Sequence, residues 1–91
     1  MKISKKKALE LACAEYELRN GYWIPLEDDP EWTLEDEVKK DGYDHWIKHP
    51  ASMIATLRYD GYLPDKAFEK IAGKKLMKAA EKCYWNRDHD T

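Results

Sequence analysis

Residues 66–84, KAFEKIAGKKLMKAAEKCY, decide the fold class. Phe68, Ile71, Ala72, Leu76, Ala79, Ala80 and Cys83 recur three and four positions apart up to Tyr84, while the lysines fall between them. That is the period of an amphipathic α-helix with one apolar stripe. Pro64 opens this last helix with Asp65 just behind it, and residues 86–91 form a polar tail expected to fray. Gly73 interrupts the pattern at a cost of about 1 kcal/mol relative to Ala, so the helix bends or breaks there.

Moving outward, the same period reappears on both sides. Pro50 suits the first position of a helix over Pro50–Tyr59, which turns Met53, Ile54 and Leu57 inward and closes at Asp60-Gly61. His49 precedes a proline and is pushed out of the helical region, leaving Tyr43–His49 room for a single turn capped by Asp44. Thr33 and Asp36 stand at capping-box spacing before a short helix, Leu34–Lys40, with acids at its start, lysines at its end and Asp41-Gly42 as its stop. At the amino end Ser4 caps a helix to Asn20, with Gly21 as its C′ residue. Leu9, Ala12, Cys13 and Tyr16 mark its buried stripe, widened by Leu11 and Leu18. Lys5, Lys6 and Lys7 oppose the dipole of this helix by roughly 0.3–1 kcal/mol each. Either it starts nearer Lys7 or these lysines serve something other than stability.

These pieces predict an all-α, single-domain bundle over residues 1–91, with three to four helices and one long aromatic and acidic loop. Its expected core is Leu9, Cys13, Tyr16, Ile54, Leu57, Phe68, Ile71, Ala72 and Leu76. Ninety-one residues suffice for one core only, and the 43% hydrophobic fraction suffices to fill it. Charged residues make up 37% but nearly cancel at −2, and the 12% aromatic content argues against disorder. No apolar run has the length of a membrane span, and Glu10 interrupts the only stretch resembling a leader. A cytoplasmic location is expected, with Cys13 and Cys83 as reduced thiols.

The segment Gly21–Pro50 holds the unusual residues. Trp23, Trp32 and Trp46 lie here with Tyr22 and Tyr43, and Pro25 and Pro30 mark Gly21–Trp32 as a loop. Charge is segregated: residues 27–44 carry nine acids against two lysines, a balance of −7, whereas residues 66–87 come to +5. The simplest use of this contrast is internal pairing between the two segments; the sharper use is that one of them faces a partner.

Few constellations suggest catalysis. His45 and His49 have the four-residue spacing of a helical metal pair, but Pro50 ends that helix and no third ligand stands at a diagnostic distance. Seven acids in residues 27–37 read as a solvated face, and no phosphate-binding glycine loop or serine nucleophile motif is present. A non-enzymatic protein with no metal, cofactor or small-molecule ligand is expected.

Two binding readings remain. In the first, the protein binds a protein partner or itself through Trp23, Trp32, Tyr43 and Trp46, with Asp28, Asp29 and Glu31 steering a basic partner. In the alternative, the Pro50–Tyr59 helix, the turn at Gly61-Tyr62-Leu63 and the last helix form a helix-turn-helix-like unit. Lys66, Lys70, Lys74, Lys78 and Lys82 would then follow nucleic-acid phosphates. Against the alternative stand a sequence pI near 5.9 and the scarcity of base-reading side chains on the last helix.

Overall fold

The computed structural model describes residues 2–24 and 27–89, with backbone only for 87–89. Pro25 and Leu26, within the expected loop, and Asp90 and Thr91, within the expected frayed tail, lie outside the described residues. Six helices follow in order: α1 (Lys5–Asn20), α2 (Leu34–Asp41), α3 (Asp44–Lys48), α4 (Pro50–Tyr59), α5 (Lys66–Ala72) and α6 (Lys74–His89). The all-α class holds, but the number of helices exceeds the expected three to four. Two local events cause the excess. His49 takes φ −135° and ψ 56° before Pro50 and separates α3 from α4. Gly73 adopts φ +86°, a left-handed conformation that breaks the last helix into α5 and α6, while its N–H bonds the Glu69 carbonyl.

The caps follow the side chains available. The Ser4 hydroxyl accepts from the Lys7 N–H at 3.2 Å, so α1 starts at Lys5 with its three lysines in the first turn. Thr33 and Asp36 form a reciprocal box: Thr33 N–H donates to Asp36 Oδ2 at 3.0 Å and Asp36 N–H to Thr33 Oγ1 at 3.2 Å. Those bonds hold the Asp36 carboxyl below its usual range, the Thr33 backbone N–H acting most and the hydroxyl next. Asp65 caps α5, accepting from the Phe68 N–H at 2.8 Å, so the helix opens at Lys66 rather than at Pro64. Asp44 is the first residue of α3 rather than its cap. α6 runs to His89.

The core lies where α1, α3, α4, α5 and α6 converge. Leu11, Ile54, Leu57 and Phe68 are fully buried, with Ala8, Ala12, Val38, Trp46, Ala55, Ala72, Leu76 and Ala80 around them. Leu9, Cys13, Tyr16 and Ile71, expected in the core, are half-buried and pack against its edge. The inner stripe of α1 is Ala8–Leu11–Ala12, turned about one position from the stripe the sequence favours. The turn follows from Trp46. Its indole is 2% exposed, lies 6.0 Å from the Phe68 ring and donates to Glu15 Oε1 at 3.2 Å, so Glu15 must face α3. Glu15 also pairs with Arg19 at 3.3 Å, and Arg19 reaches Asp60 at 2.8 Å and lies 5.1 Å above the Tyr62 ring. This chain of contacts ties α1 to α3 and to the turn after α4.

α4 and α6 make the most extensive helix contact, and α2 packs on α1. The α4–α6 seam ends with Tyr59 against Tyr84 at 4.8 Å and the Arg58 guanidinium 4.4 Å over the Tyr84 ring. The molecule is elongated, 47 × 25 × 24 Å. No described helix is long and apolar enough to cross a membrane.

Candidate docking cleft

One side of α1 is not closed. Between α1, the start of α2 and α5 lies a cleft of about 860 Å³. Its apolar floor comes from Cys13, Leu18, Leu34, Phe68 and Ile71. Each is placed for a local reason. Leu18 and Cys13 lie on the flank of α1 that Trp46 turns away from the core. Leu34 is the first residue of α2, fixed by the Thr33–Asp36 box. Phe68 and Ile71 belong to α5, whose start the Asp65 carboxylate anchors. Around this floor stand Glu10, Glu17, Glu35 and Asp65, and no lysine or arginine lines it. Tyr22 forms one edge and is 89% exposed; Ile24, two residues on, is 77% exposed.

The Cys13 thiol responds to this environment. Burial raises its pKa to about 11, and the carboxylates Glu35, Glu17 and Glu10 add to the rise against a smaller opposing effect of Lys39. The thiol is therefore protonated at neutral pH, which unsuits it as a nucleophile. Among the described residues no group of three or more His, Cys, Asp or Glu side chains is placed to hold a metal ion, and His45 and His49 are exposed.

The aromatic residues that sequence reasoning singled out do not gather in one site. Trp46 is a core residue, and its place on the binding list is corrected by its burial. Tyr43 is half-buried beside it, along a smaller cleft of about 370 Å³ on the opposite flank of α1. Trp23 is half-buried and meets Tyr16 edge-on at 6.0 Å; its buried indole N–H has no hydrogen-bond partner among the described residues. Trp32 is half-buried and donates to Glu37 Oε2 at 2.9 Å. Asp28, Asp29 and Glu31 are exposed, on the limb that joins the cleft wall at Tyr22 to the wall at Thr33. None of the seven residues lines the larger cleft.

The lysine row is present but divided. Lys66 and Lys70 sit on α5 and Lys74, Lys78 and Lys82 on α6, all exposed, with the Gly73 break between them. Lys7 reaches this junction from α1, its Nζ 3.8 Å from where a Cβ at Gly73 would lie. The expected pairing between the acidic segment and these lysines is not found among the described residues. The ion pairs among the described residues are those of Arg19 with Glu15 and Asp60, and no lysine takes part.

Sequence reasoning also missed Trp85, which is 53% exposed near the end of α6. Its signal was present: Lys78, Lys82 and Trp85 are spaced four and three apart, which puts an indole in the middle of a lysine face.

No protein family, curated protein or solved structure matches this chain.

Proposed function

We propose that this protein is a non-catalytic docking module. Its cleft between α1, α2 and α5 receives an amphipathic segment of a protein partner, basic along its edges. The observation that carries this reading is an apolar floor ringed by four carboxylates and no cation. An occupant with apolar anchors would bury the exposed floor, and flanking lysines or arginines would meet the rim. Glu27, Asp28, Asp29 and Glu31, solvated and in no ion pair among the described residues, extend the negative field beyond the rim and speed the approach of a basic partner. The contact residues of this reading are Leu18, Leu34, Ile71 and Tyr22, with Glu17 and Glu35 for charge.

A fluorescein-labelled leucine–lysine amphipathic peptide provides the test, with a leucine–glutamate peptide of the same pattern as control. Anisotropy should show binding of the basic peptide alone, weakening as salt rises. The double reversal Glu17→Lys, Glu35→Lys should lower affinity about tenfold or more while leaving the thermal midpoint in place. Equal binding of both peptides, or no response to the reversal, would remove the cleft from consideration.

A further inference from the structure

The occupant can be specified further, given the cleft reading above. We infer that the cleft takes the exposed face of α6 from a second copy of this chain, with Trp85 as the anchor, so that the protein assembles head to tail.

Lys74, Lys78 and Lys82 form one exposed row, and Trp85 continues it. A half-exposed indole within a row of ammonium groups is poorly suited to water and well suited to a contact with an apolar centre and a charged border. The indole is also held in place. Tyr59 and Arg58 of α4 grip the Tyr84 ring, and Trp85 stands edge-on to Tyr84 at 5.4 Å with an interplanar angle of 81°. α4 ends at Tyr59, so Trp85 lies at the limit of the α4–α6 seam, on a helix that continues to His89. An aromatic already held against a neighbouring ring loses little freedom on docking.

The complement lies on the same molecule, at a place its own α6 does not occupy. The cleft is lined from α1, α2 and α5 and by no residue of α6. Its floor is apolar where the α6 face offers Trp85, and its rim is anionic where that face offers Lys78 and Lys82. Neither set of charges is neutralised internally, because no lysine forms an ion pair within the described chain. Two different patches meeting in this way make a heterologous contact, which closes into a ring or grows into an open chain. A polynucleotide is a weaker match to the same face: Glu81 stands beside the row, a single indole gives little stacking platform, and the acid-rimmed cleft would be left without a role.

The test is mass in solution, read by sedimentation velocity at low salt from about 10 μM to about 1 mM, the range of weak contacts. The wild-type chain should grow in mass with concentration and return to monomer in high salt. Trp85→Ala, and separately Lys78→Glu with Lys82→Glu, should stay monomeric with unchanged circular dichroism. So should Glu17→Lys with Glu35→Lys, which spoils the cleft and leaves α6 intact. Mixing the Trp85→Ala chain with the cleft double variant leaves one working cleft and one working α6, and must yield a 1:1 dimer and nothing larger.

A monomeric wild-type chain at the highest concentration overturns the inference, as does association that survives Trp85→Ala. If the wild-type chain stays monomeric yet the leucine–lysine peptide still binds the cleft, the second copy is wrong and the docking reading stands; if neither occurs, both fall. Binding of a labelled single-stranded oligonucleotide to a chain that stays monomeric, lost in Trp85→Ala, would reassign the α6 face to nucleic acid.

Discussion

The two flanks of α1 differ in one respect, and the difference accounts for the rest of the molecule. On one flank α3 presents Trp46, which fills the space against Phe68 and ties itself to Glu15. On the other, a gap remains between α1, α2 and α5, lined by Leu18, Leu34 and Ile71. The first flank is largely filled by a single large side chain and keeps a smaller cleft of about 370 Å³; the second is an open apolar cleft of about 860 Å³ with carboxylates at its border. A small all-α protein with one core has little apolar surface to spare. Leaving a flank unfilled is a loss of stability that an occupant can recover.

The sharpest way to break this contrast is to empty the closed flank. Trp46→Ala should cost about 3–5 kcal/mol, as for other large-to-small changes in cores, and unfold much of the chain at ambient temperature. The corresponding change on the open flank, Leu34→Asp, should cost about 1 kcal/mol or less while abolishing peptide docking. Similar shifts of the urea midpoint in the two variants would show that the flanks do not differ.

A smaller effect tests what holds the closed flank in register. Arg19→Leu removes the links to Glu15 and Asp60 but leaves the Trp46–Glu15 bond. The expected loss is about 1 kcal/mol, given the partial exposure of the pair.

The open flank depends on where α2 begins. Thr33→Ala should cost about 1 kcal/mol and fray the first turn of α2, which carries Leu34 and Glu35. The Asp36 carboxyl has a folded pKa below its unfolded value, so its contribution is present above the unfolded value and is lost as pH falls through the folded one. Carboxyl chemical shifts followed against pH should show Asp36 titrating low in the wild type and higher in Thr33→Ala, which loses the hydroxyl bond but keeps the backbone N–H.

The smallest effect concerns Cys13, at the floor of the cleft. Its folded pKa of about 11 lies above the ordinary 9.0, so below pH 9 the group adds no pH dependence. Between these values the unfolded chain ionises first and stability declines. Cys13→Ala should abolish that decline. At pH 8 iodoacetamide should label Cys13 about a hundredfold more slowly than in the denatured chain, read by peptide mass.

Much of the fold was legible because its boundaries are chemical. Ser4, Thr33, Pro50 and Gly21 mark helix ends by hydrogen bonding and fixed dihedrals, which depend on neighbours in the chain. The stripe of α1 was harder. Leu9, Cys13 and Tyr16 lie as plausibly on one face as Ala8, Leu11 and Ala12 do on the next, and only the arrival of Trp46 from a distant helix selects between them. The site was less legible still. An indole has the same composition in a core, beside a carboxylate or on a surface, so Trp46, Trp32 and Trp85 could not be sorted without tertiary neighbours. A cleft, being a gap between elements, has no local signature; of its rim acids Glu10, Glu17, Glu35 and Asp65, only Glu35 belongs to the segment 27–44 whose −7 balance stood out, and the others come from distant parts of the chain.

The spread of burial among the tryptophans has a practical consequence for spectroscopy. Trp46 is buried against Phe68 and should emit at shorter wavelength, whereas Trp85 should emit like a solvated indole and meet acrylamide first. Collisional quenching of the native protein is therefore heterogeneous, with an accessible fraction that Trp85→Phe removes. Without any added dye, the red edge of the emission follows events at the tip of α6, and the blue edge follows the integrity of the interior.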